Sequence, residues 1–160
     1  MRWLTDVDRA ADTDLDRGFH GELPEDMPDT DTRERFAERL QRGPLLSDGA
    51  MGTELYQRGG MPYGRCLDEL NLTSPDLVKS VHLDYIRAGA ELIETNTFGA
   101  NRVRLAAHGL GARMDEINRA GVGLAREAQD LTGQRVWIAG AVGPLGDPLA
   151  PLGPIGLAQV

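Results

Sequence analysis

The sequence predicts an α/β fold, and three observations carry that prediction. Short apolar runs recur at residues 44–47, 90–95 and 136–142. Their centres are evenly spaced, with 47 residues from Leu46 to Ile93 and 45 from Ile93 to Ile138. Between them the apolar residues repeat at helical spacing, and each run ends in a polar or glycine-rich turn: Asp48-Gly49, Asn96-Thr97 and Gly143-Pro144. Buried strands alternating with helices favour a parallel sheet, because parallel neighbours need a long crossover. Runs that are apolar at successive positions are expected where both sheet faces are covered. The turns would then gather at the carboxyl edge of the sheet, where α/β folds bind ligands.

The elements follow in order. Residues 1–31 hold ten carboxylates against three arginines, a charge of −7, and are interrupted by Gly18, Gly21, Pro24 and Pro28. Such a stretch buries too little surface to offset its ordering entropy, so it reads as a disordered acidic leader. The domain proper is expected over 32–160, where 15 acidic and 14 basic residues nearly cancel. Asp31-Thr32-Arg33-Glu34 has the form of a capping box. A short helix should follow to Arg42, with Phe36 and Leu40 on one face, and Gly43-Pro44 should end it. After the first strand, Ser74-Pro75 is an N-cap followed by proline at the first helical position. Leu77, Val78, Val81, Tyr85 and Ile86 then mark a helix that Gly89 stops. Met114, Ile117, Gly121, Leu124, Ala125 and Ala128 mark a second helix ending at Thr132-Gly133. Residues 154–160 resemble the start of a further helix.

Composition excludes several functions. No basic stripe is present to neutralise phosphates, so nucleic acid is not an expected partner. No window reaches the roughly 18–20 apolar residues of a membrane span. The amino terminus lacks the basic and apolar regions of a signal peptide, so a cytoplasmic location is expected. Cys66 is the one cysteine and cannot form an internal disulfide. His20, His82 and His108 have no ligand spacing, and each reads as a satisfied or solvated side chain. The turn Asp48-Gly49-Ala50-Met51-Gly52-Thr53 is neither G-x-G-x-x-G nor a phosphate loop, which disfavours a nucleotide site. Periodicity alone does not separate an open doubly wound sheet from a barrel.

The order of motifs goes further. Leu45-Leu46-Ser47-Asp48-Gly49-Ala50-Met51-Gly52-Thr53-Glu54-Leu55 resembles the opening strand and turn of the homocysteine S-methyltransferase family. The resemblance continues through Leu70-Asn71-Leu72, Ser74-Pro75, the segment from Ala88 to Phe98, Ile117-Asn118-Arg119-Ala120, and the segment from Ala139 to Pro144. It implies a (β/α)₈ barrel, present here as its first three strand–helix units. It also implies methyl transfer to the homocysteine thiolate to give methionine, with homocysteine as a partner.

Asp48 sits where that family places a carboxylate on the substrate's ammonium. The amides of Gly49, Ala50 and Met51 would serve the substrate's carboxylate if a helix starts there. The residues alone also allow Asp48 to be a helix cap. By the same resemblance Asn96 and Thr97 face the pocket; their residue types equally suit a polar turn in which Asn96 bonds its own backbone. Glu94 either points into the barrel mouth or pairs with an arginine. Gly140, Gly143 and Pro144 read as shaping residues.

In the family a Zn²⁺ makes the thiol nucleophilic, its cysteine ligands coming from the sixth and eighth strands. None of these maps onto the chain, and Cys66 matches none of them, so no metal ligand and no catalytic residue is assigned. The expectation is an incomplete domain without methyltransferase activity of its own. A half-barrel of a split enzyme and a non-catalytic amino-acid-binding module remain as alternatives. The methyl donor, whether folate with cobalamin, betaine or an S-methylated compound, is not legible.

Overall fold

A computed structural model describes residues 36–156. The acidic leader and the capping box at residues 31–34 lie outside the described residues. The first helix, α1 (Phe36–Gln41), ends one residue short of the expected Arg42. Then come α2 (Met51–Gly59), α3 (Leu70–Thr73) and α4 (Pro75–Arg87). Strand β1 (Leu92–Glu94), α5 (Arg102–Ala106), α6 (Met114–Thr132) and β2 (Trp137–Ala139) complete the order, with one 3-10 turn at Gly111–Arg113.

β1 and β2 are parallel, with Leu92, Ile93 and Glu94 opposite Trp137, Ile138 and Ala139. The expected first strand shrinks to one parallel bridge between Ser47 and Leu92. The Leu46 carbonyl accepts from the Glu91 and Leu92 amides at 2.8 and 3.2 Å, and the Asp48 amide donates to Leu92 at 2.9 Å. The Pro44 carbonyl, the next group along this edge, accepts from Arg39 at 3.2 Å. The spatial order is therefore the first run, β1, β2. The third run is also shorter than expected, because the Ala141 amide turns to the Thr95 hydroxyl at 3.1 Å instead of continuing the ladder.

Both long helices form where their apolar periodicity placed them. Pro75 opens α4, and Gly89 follows its end with φ 101°. Gly133 closes α6 at φ 64°. The two helices pack on each other over one face of the sheet. Val78 and Val81 of α4 join Leu124 of α6, Leu55 and Leu70 in one cluster. Ile86, Ala125 and Ala128 pack with Ile93 of β1 in a second. A fully buried aliphatic side chain of this kind contributes about 1.5–3 kcal/mol. Cys66, Ala100, Leu105 and Ile117 form a third cluster.

The other face of the sheet is less covered than the successive apolar residues implied, for Leu92 and Trp137 are half-buried and Glu94 is exposed. At the amino ends of the strands, α1 makes two attachments. Arg39 grips Glu91 through both carboxylate oxygens at 2.9 and 2.7 Å. Phe36 meets Trp137 edge-on, with ring centroids 5.4 Å apart. At the other terminus, residues 154–156 do not open a helix: Ile155 bridges to Leu149, and Ala150 donates to its carbonyl at 2.7 Å. Residues 157–160 are outside the described residues.

Candidate functional site

The carboxyl ends of the first run, β1 and β2 open onto one cleft of about 540 Å³. Asp48, Gly49, Ala50, Met51 and Asn96 line it, together with Glu94, Thr95 and Ala141. Thr97 does not line it. The cleft is where an α/β sheet is expected to bind, because strand ends there release the chain into turns whose groups are free to face a ligand.

Asp48 is half-buried at the cleft wall. Its Oδ2 accepts the Glu94 amide at 3.0 Å, and its Oδ1 accepts the Ser47 hydroxyl at 3.2 Å. The side chain thus spans two neighbouring strand tips. It does not cap α2, whose N-cap is Ala50 in extended geometry with no side-chain hydrogen bond. Burial pushes the Asp48 carboxyl above the usual carboxylate range; the Glu94 amide and the Ser47 hydroxyl oppose this without cancelling it. The carboxylate of Glu94 lies close enough to add to the rise. Glu94 itself is exposed in the cleft. Arg39 pairs not with Glu94 but with Glu91, the residue just before β1.

Asn96 and Thr97 are both buried, and their side chains are engaged with protein. The Asn96 amide donates to the Leu67 carbonyl and to Asn71 Oδ1, both at 2.9 Å. Asn71 in turn donates to the carbonyls of Asn96 at 2.8 Å and Ile117 at 3.2 Å. The Thr97 hydroxyl donates to the Ala141 carbonyl at 2.9 Å and shares a 2.7 Å hydrogen bond with Thr95. These two residues therefore build the cleft wall from behind, tying β1 to α3, α6 and the exit from β2. Gly143 packs its backbone on Phe98, its amide donating to the Phe98 carbonyl at 3.0 Å.

Asp68 was not singled out by its sequence context. It is buried, lines the cleft, and accepts the Gly99 amide at 2.9 Å. That partner is 31 residues away, so no local pattern announces it. Arg65, Arg104 and His108 add basic groups to the same cleft. Of the other two histidines, His20 lies outside the described residues. His82 is neither satisfied nor solvated by protein: it is fully buried in α4, and neither ring nitrogen has a protein partner.

The zinc implied by the resemblance does not fit the described residues. Among them no three His, Cys, Asp or Glu side chains converge to hold a metal ion. Cys66 does line the cleft, but its Sγ lies 3.8 Å from Asp68 Oδ2, and burial raises its thiol pKa. Among the described residues no helix is long and apolar enough to cross a membrane.

The chain is similar to known proteins over most of its described length. The family model for homocysteine S-methyltransferase matches residues 45–159. A methionine synthase of Mycobacterium tuberculosis is 34% identical over 125 residues, and one of Mycobacterium leprae is 36% identical over 127. Each match covers 72% of this chain, which spans 10% of those relatives. The metallated homocysteine methyltransferase MmuM of Escherichia coli superposes with a TM-score of 0.59 at 35% identity, over 68% of this chain and 41% of that one. Its oxidized form gives 0.57 at 37% identity. With the family match running from the first strand run past β2, and the Asp48 turn at its start, the chain belongs to the homocysteine S-methyltransferase family.

Proposed function

We propose that this chain supplies the amino-acid-binding part of a homocysteine S-methyltransferase barrel. The observation that carries the reading is the placement of Asp48. Its carboxylate is fixed at the cleft wall by the Glu94 amide, immediately before the first turn of α2. The substrate's ammonium would sit against Asp48, with Glu94 adding negative charge nearby. Its carboxylate would meet the unpaired amides at the start of α2, where backbone N–H groups and the helix dipole favour an anion. Asn96 supplies wall, and Thr97 holds that wall in place.

In the overall reaction an S–CH₃ bond forms on homocysteine as the donor's bond to the methyl group breaks, and the thiol proton is released. The family's zinc would supply thiol activation, and none of the described residues is assigned to it. The chain is therefore proposed to bind homocysteine without turning it over. Calorimetry of the chain with L-homocysteine, in buffer without metal, tests the binding. A saturable heat supports it, and no heat at millimolar ligand counts against it. Methionine formed above background with zinc and a methyl donor would refute the absence of turnover.

A second reading has one observation in its favour. The chain beyond β2 presents Val142 at 91% exposure, next to a strand with one neighbour. That edge suits a half-barrel completed by a separate polypeptide.

A further inference from the structure

The turn that carries Asp48 is braced from behind by Tyr85. This side chain stands on α4, and its ring packs between the two apolar clusters that join α4 to α6. Its hydroxyl donates to the Ala50 carbonyl at 3.2 Å, across 35 residues of sequence. The fit is close at the neighbouring residue as well. A Cβ at position 49 would lie 3.0 Å from the Tyr85 hydroxyl oxygen and 3.4 Å from Cε1, so glycine leaves room for the ring.

Peptide geometry gives this brace a consequence. In a trans peptide the carbonyl of one residue and the amide N–H of the next point in opposite directions from one rigid plane. The Ala50 carbonyl is held toward Tyr85, which does not line the cleft, whereas Ala50 and Met51 do. The Met51 N–H belongs to the same plane and is turned the other way. It is also one of the first amides of α2, which have no carbonyl partner within the helix.

We infer that Tyr85 is a positioning residue for the carboxylate of the amino-acid substrate, acting by aiming the Met51 amide into the cleft. The inference rests on the binding reading above and adds the device that orients its anion-binding end. It predicts a selective defect. Removing the hydroxyl should weaken ligands that carry the carboxylate and spare those that lack it.

The test is calorimetry on the full 160-residue chain, wild type against Tyr85→Phe. The ligands are L-homocysteine and homocysteamine, its decarboxylated analogue. Loss of one neutral hydrogen bond should weaken homocysteine about five-fold, while homocysteamine affinity stays unchanged. Equal weakening of both ligands would show Tyr85 to be a packing residue and overturn the inference, as would an unchanged Kd for homocysteine. Wild-type chain that binds neither ligand would instead sink the binding reading, and the inference with it.

Discussion

Asp48 and His82 show opposite ways for a fold to treat an ionisable group. Asp48 is half-buried with two hydrogen-bond donors and space in front of it, which in the proposed reading a ligand cation would fill. Asp48→Asn keeps an oxygen for the Glu94 amide and removes the charge. A charge-assisted hydrogen bond is worth about 1.5–3 kcal/mol, so homocysteine affinity should fall at least about ten-fold. Binding should also weaken in acid as the raised Asp48 pKa is crossed, a dependence absent from the Asn variant. His82 has no protein partner for either nitrogen, and burial lowers its pKa from 6.5 to about 4. The folded state holds it neutral while the unfolded chain protonates near 6.5. Stability from this residue is thus complete above that value and is lost as pH falls toward 4. Linkage puts the loss by about pH 5 on the order of 2 kcal/mol. Urea unfolding at neutral pH and at about pH 5 should show that loss in the wild type and a smaller one in His82→Met.

At the scale of elements, the contact of α6 with α3 and with the turn after β1 depends on an absent side chain. Gly121 lies on the buried face of α6, where an added Cβ would stand 2.7 Å from Thr97 Cγ2 and 2.8 Å from Asn71 Nδ2. Neither neighbour is free to retreat. Thr97 is tied to Thr95 and Ala141, and Asn71 to Asn96 and Ile117. Gly121→Ala raises helix propensity by up to about 1 kcal/mol, but overpacking of this kind costs about 1–3 kcal/mol. The net expectation is a lower unfolding midpoint, and a midpoint at or above the wild type would contradict it. Strain at Asn71 should reach its hydrogen-bond partner Asn96 and weaken homocysteine binding in the same variant, since Asn96 is cleft wall.

For the whole molecule, the site is divided by chemistry. The described residues hold groups suited to an amino acid's charged end and no set suited to a metal. The E. coli methyltransferase described as metallated is matched over 41% of its length. Mixing the chain with a separately expressed polypeptide carrying the remainder of such a barrel tests the half-barrel reading. Methionine formation in the mixture, with none from either part alone, is the outcome that reading expects. A chain that neither binds nor activates the remainder would leave that reading without support.

Sequence was enough for the α/β class, the positions of the strand runs and of the two long amphipathic helices, and the family resemblance. The helices rest on local signals, namely periodicity, a proline at the start of α4, and glycines after α4 and α6, whereas the family rests on the ordered motifs that resemble it. Sequence also led to Asp48, because a motif at a strand's end is contiguous in the chain. Tertiary structure alone decided what each side chain does there. Asn96 and Thr97 turned into the wall, Asp68 met the Gly99 amide, and Tyr85 reached Ala50, through partners 25 to 44 residues distant. Hydrogen bonds over such separations leave no periodic trace, because they depend on how α3, α4 and α6 pack against β1. The shortened strands have the same origin: a ladder needs a neighbour's backbone, and Thr95 took the place of that backbone at Ala141.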